Sequence, residues 1–139
     1  MKMSNHILDA DQWLLIARDD LNSAKHLFKK ELLTSLFHIQ QCAEKSLKAF
    51  LVAHQAPIIK THDLSKINKA CTNINQDFAA FIIEADILSE LETAGRYPDS
   101  LVYPSPEDIE RFIAIAEDVF RFVLRRVKPI MRDSACTAL

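Results

Sequence analysis

The chain has 139 residues, enough for one domain, with 17 Lys and Arg against 19 Asp and Glu and a formal net charge of −2. That balance excludes a protein that coats nucleic acid by bulk charge and leaves only a local basic patch. There is a single glycine, Gly95, where average usage gives roughly ten. This argues against tight hairpins, Gly-rich phosphate loops and Rossmann turns, and favours helices joined by short polar connections.

Apolar residues recur at helical spacing along almost the whole chain. The first predicted helix, about 11–30, carries Leu14, Ala17, Leu21, Ala24 and Phe28 on one stripe, with Trp13 beside it. The second, about 32–54, places Leu36, Ile39, Ala43, Leu47 and Phe50 inward, and Pro57 ends the stretch. A third begins near Asp63 and buries Leu64, Ile67, Cys71 and Ile74. A fourth, about 76–93, turns Phe78, Phe81, Ala85 and Leu88 inward, with Gly95 just beyond its end.

Three prolines interrupt residues 96–106, and Ser105-Pro106-Glu107-Asp108 then starts a fifth helix: Ser caps, Pro suits the first turn, and the acids meet the positive helix end. That helix carries Ile109, Phe112, Ile113, Ala116, Val119, Phe120, Val123, Leu124 and Val127. Residues 133–139 show no pattern and are expected to fray. The fold expected is all-α, a five-helix antiparallel up-and-down bundle in one domain spanning 1–139, with its core at about 11–131.

Cys42, Cys71 and Cys136 are too sparse for a disulfide framework or a zinc cluster. The N-terminus lacks the apolar run of a signal peptide, and no stretch approaches a membrane span. The expectation is a reduced, cytoplasmic protein without membrane contact.

Three places could carry chemistry. On the second helix, Gln41, Glu44, Lys45 and Lys48 stand at i, i+3, i+4 and i+7, with His38 on the same side. By helix physics alone, a solvated face of Glu–Lys pairs is the simpler explanation of this spacing. In Thr61-His62-Asp63-Leu64, Thr61 or Asp63 can cap the third helix, and His62 is a candidate ligand. In Arg96-Tyr97-Pro98-Asp99, with Tyr103 nearby, a proline-stiffened loop can aim a guanidinium at a phosphate, or Arg96 can pair with Asp99 and order the loop. Arg121, Arg125, Lys128 and Arg132 line the last helix, where bases complement the helix dipole. No metal-ligand spacing and no phosphate-binding glycine loop occurs, so no metal or other cofactor is expected.

Taken in order, Trp13, Ala17-Arg-Asp-Asp-Leu21, the run His38-Ile-Gln-Gln-Cys-Ala-Glu-Lys-Ser-Leu-Lys-Ala49, Thr61-His-Asp-Leu64 and Arg96-Tyr-Pro-Asp99 resemble the HEPN family, the higher eukaryotes and prokaryotes nucleotide-binding domains. The resemblance spans about 13–127. It implies a helical bundle, commonly a homodimer, that associates with nucleotides or RNA. Small members often pair with a minimal nucleotidyltransferase in a toxin–antitoxin arrangement. Many members are metal-independent RNases marked by an Arg followed four to six residues later by His.

Arg96 matches that arginine, but the positions where the histidine is expected are Leu101, Val102 and Tyr103, and no histidine follows His62. Metal-free RNA cleavage wants a proton acceptor near neutrality, which tyrosine does not supply. The expectation is therefore a binding module rather than an enzyme. Gln41, Glu44, Lys45, Lys48, His62, Arg96, Tyr97, Asp99 and Tyr103 would hold a nucleotide or RNA phosphate. The alternatives are an endoribonuclease toxin using Arg96 with His38 or His62, and an adaptor that binds only protein.

Overall fold

The structure is a computed structural model that describes residues 5–57, 59–92 and 104–134. Five α-helices form it: α1 (Asn5–Leu27), α2 (Leu32–Ala53), α3 (Leu64–Ile74), α4 (Ile82–Ser89) and α5 (Pro106–Ser134). Among the described residues there is no strand. The fold is all-α, as the apolar spacing predicts.

α1 and α2 form an antiparallel hairpin. Ser35 Oγ donates to the Ala24 carbonyl near the turn (2.9 Å), and Lys48 Nζ lies 6.0 Å from the Trp13 ring centre near the far end. α5 packs over both, with the buried stripe Ile109, Ile113, Ala116, Val119, Val123 and Val127 against Ala17, Leu21, Ile39 and Ala43 in one continuous core. An aromatic stack closes the other end: Phe50 meets Phe78 at 4.4 Å, and Phe78 meets Phe122 at 4.9 Å.

Helix ends follow local chemistry. Asp63 caps α3 by accepting from Ser65 N and Lys66 N, while Thr61 Oγ1 accepts from Asp63 N. Ser105 Oγ accepts from Asp108 N, and Asp108 Oδ2 accepts from Ser105 N, a reciprocal cap with an aspartate in the usual Glu position. α2 stops before Pro57. Ala56 N donates to Leu51 O, Gln55 N donates to Val52 O, and Gln55 takes a left-handed φ of 54° where glycine is usual.

The structure departs from the expected boundaries in four places. α1 begins at Asn5 rather than near 11, because Ala10 extends the buried stripe one turn backwards. The expected fourth helix is a 3-10 segment Gln76–Phe81, then α4, then a second 3-10 turn Glu90–Glu92. Asn68 Nδ2 donates to the Phe78 carbonyl (3.1 Å), and the Phe78 side chain is fully buried in the core. Ile74, expected inside, is 42% exposed. α5 runs through Pro129 to Ser134, so residues 133–134 are helical rather than frayed: a formed helix propagates without further apolar contacts. Gly95 and residues 135–139 lie outside the described residues.

Candidate functional site

α2 must bury one side against α1 and α5, and its polar positions collect along the opposite edge. On the 3.6-residue wheel, Gln41, Lys45 and Lys48 form a midline, with His38 to one side and Glu44 to the other. The structure attaches a second element to each side. Asp20 of α1 receives His38 Nδ1 at 2.8 Å and Lys45 Nζ at 2.9 Å. Glu44 receives Lys48 Nζ at 3.0 Å, His62 Nδ1 at 3.0 Å and Gln40 Nε2 at 3.1 Å. The result is two carboxylates, each holding one lysine and one histidine.

This is not the solvated Glu–Lys face that the spacing alone allows. The Glu44–Lys48 pair is present, but Glu44 is only 3% exposed, and Asp20 is 8% exposed. Buried carboxylates without partners would be prohibitively costly, so each lysine and histidine is held tightly. Burial pushes the Glu44 carboxyl upward, yet hydrogen bonds from Lys48, Gln40 and His62 outweigh it and hold the group below the usual carboxylate range. Gln40, 2% exposed, also donates to the His62 carbonyl (3.3 Å) and accepts from Gln41 Nε2 (2.8 Å). These bonds tie the segment before α3 onto α2.

The geometry sets what each group can do. A histidine that places Nδ1 on a carboxylate presents Nε2 outward, in a fixed orientation. His62 does so with its side chain 62% exposed, and His38 with 27%. Lys45 and Lys48 each bond one carboxylate and retain further N–H donors. The two carboxylates balance the two ammonium groups.

Gln41, Glu44, Lys45, Lys48, His38 and His62 are therefore brought together. Arg96, Tyr97, Asp99 and Tyr103 lie outside the described residues. Sequence reasoning missed Asp20 and Gln40. Both left a signal: Asp20 stands beside Ala17, Leu21 and Ala24, and Gln40 beside Leu36, Ala43 and Leu47, and a polar residue set in an apolar stripe needs a partner.

Other chemistry-bearing groups are accounted for locally. Arg121 pairs with Glu117 (3.1 Å), and Arg126 pairs with Asp77 (3.2 Å) and lies over Phe122, while Arg125 and Lys128 face solvent. Burial pushes the Cys42 and Cys71 thiols up to about 12, which makes them inert packing groups; Cys136 lies outside the described residues. Among the described residues, no three His, Cys, Asp or Glu converge to hold a metal ion, and no helix is long and apolar enough to cross a membrane.

Comparison with known proteins identifies the architecture. The sequence model of the HEPN domain matches residues 10–127. The crystal structure of ST0689, described as an archaeal HEPN homologue, superposes with a TM-score of 0.70 at 23% identity, covering 91% of this chain and 99% of that one. No curated protein matches the sequence.

Proposed function

The chain belongs to the HEPN domain family, and from that premise we propose that it is a nucleotide- or RNA-phosphate-binding module whose site is the outer face of α2. The observation that carries this reading is the pair of buried carboxylates, Asp20 and Glu44, each fixing one lysine and one histidine at the same edge of the fold. Each carboxylate charge is already matched by an ammonium group, so the remaining lysine N–H groups and the two Nε2 atoms are directed to a ligand rather than consumed internally.

In this reading Lys45 and Lys48 neutralise a phosphate, and His38 and His62 hydrogen-bond its oxygens. Gln41, on the midline between them, reads the edge of a base. Arg96 adds a forked donor, Tyr97 and Tyr103 add ring surface, and Asp99 orients the guanidinium. The module acts as a homodimer and as one member of a toxin–antitoxin-type pair with a minimal nucleotidyltransferase, in the cytoplasm.

A second reading, a metal-independent endoribonuclease, is favoured by one feature. Glu44 aligns His62 with Nε2 outward, the orientation a general base requires, and so offers a substitute for the histidine missing after Arg96.

One experiment addresses both. Labelled single-stranded RNA is titrated with protein in EDTA over a range of salt concentrations, and the RNA is then recovered. Lys45→Ala is expected to weaken binding and to flatten the dependence of log K on log salt by about 0.7, one phosphate contact on a single strand. An unchanged slope would remove Lys45 from the site. Intact RNA after binding is the outcome expected of the module, and cut RNA would replace it with the endoribonuclease.

A further inference from the structure

Phe37 precedes His38 on α2 and is 52% exposed. Its ring centre lies 5.3 Å from that of the imidazole, with the two planes at 82°. A large aromatic half in water forfeits the burial that fixes other phenylalanines in this fold, such as Phe50 at 1% and Phe78 at 0% exposure. Its place along α2 is informative: beside it stands His38, and across Asp20 stands Lys45. The open ring therefore adjoins His38, and the Asp20 carboxylate that holds His38 also holds Lys45.

Resting on the phosphate-binding reading above, we infer that Phe37 is the stacking platform for an unpaired nucleobase whose own phosphate lies against His38 and Lys45. The ring accepts any base, because every base offers a π-face, and it requires a base whose faces are not already stacked in a duplex. The imidazole meets the Phe37 ring at 82° rather than lying parallel over it. Further along α1 from Asp20, Asn22, Ser23, His26 and Leu27 line an open cavity of about 400 Å³, a second space that is used only if a strand continues along α1. A free mononucleotide and a single-stranded RNA share the recognised chemistry.

The test uses three probes: adenosine monophosphate, a short single-stranded oligoadenylate and inorganic tripolyphosphate. Each is titrated into the wild-type chain, Phe37→Ala and Phe37→Trp. Phe37→Ala is expected to weaken oligoadenylate binding about 5- to 150-fold, the range of one lost base–aromatic stack, and to leave tripolyphosphate binding unchanged. Phe37→Trp is expected to keep the oligoadenylate affinity and to show quenching of the new indole on binding. A Phe37 dependence shared by adenosine monophosphate would identify a mononucleotide as sufficient; dependence confined to the oligomer would identify a strand.

Equal oligoadenylate affinity for Phe37→Ala and wild type overturns the inference. So does a Phe37→Ala variant that loses tripolyphosphate equally, which indicates a structural ring, or one whose only change is its oligomeric mass, which indicates a protein contact. A wild-type chain that binds none of the three probes overturns the phosphate reading itself.

Discussion

Glu44→Ala should lower the folding free energy by about 3–5 kcal/mol, the cost of removing one partner from a buried ion pair. Lys48, only 13% exposed at its side chain, would be left facing an emptied pocket, and Gln40 and His62 would each lose an acceptor. For a chain of this length the melting temperature should fall by roughly 10 °C or more. The same carboxylate makes stability depend on pH. Its folded pKa lies below its unfolded one, so its contribution is present above the unfolded value and is lost as the pH falls through the folded value. Urea unfolding across the acid range checks both points. The wild-type midpoint should drop as Glu44 takes up its proton, and Glu44→Ala, already low, should drop less. Parallel acid profiles, or a variant as stable as the wild type, would mean that Glu44 is not the electrostatic centre of this face.

Phe78→Ala should cost about 3–5 kcal/mol through the cavity it opens. The ring is fully buried, and it joins Phe50 of α2 to Phe122 of α5. Its backbone carbonyl is also the acceptor for Asn68 of α3. The effect should reach His62 through the same corner: Ser89 Oγ accepts from Leu64 N and donates to Asp63 Oδ1, so the α4 end holds the start of α3 beside His62. Thermal unfolding should show the loss, and hydrogen exchange should show its largest increase in α3 and the 3-10 segment, with α1 nearly unchanged. Uniformly increased exchange would contradict a role local to that corner.

Much of this architecture was legible in the sequence, for physical reasons. Leu14, Ala17, Leu21 and Ala24, and Leu36, Ile39, Ala43 and Leu47, repeat at helical spacing because a helix buries one stripe, and all eight are buried. Ser105 and Asp63 announced their helices because capping is local chemistry. The 3-10 segment at 76–81 was not legible: helical spacing of Phe78, Phe81, Ala85 and Leu88 reads the same for an unbroken α-helix, and the Asn68 bond to the Phe78 carbonyl appears only on packing.

The site divides the same way. Glu44, Lys45, Lys48 and His38 share one helix and one face, which spacing reveals. The burial of Glu44, and the choice of Asp20 of α1 rather than a neighbour on α2 as the partner of Lys45, arise only in the folded packing. Burial changes the chemical reading, because a paired charge on a wet surface is worth little, whereas a buried pair fixes its members in place.

A phosphate received on the outer face of α2 should be visible by NMR at the histidine ring nitrogens and lysine Nζ groups while a nucleoside diphosphate is added at constant pH. Saturable shifts are expected at His38, His62, Lys45 and Lys48, with Lys128 of α5 unmoved. Shifts confined to Lys128, or none at the α2 face at saturating ligand, would contradict phosphate binding there.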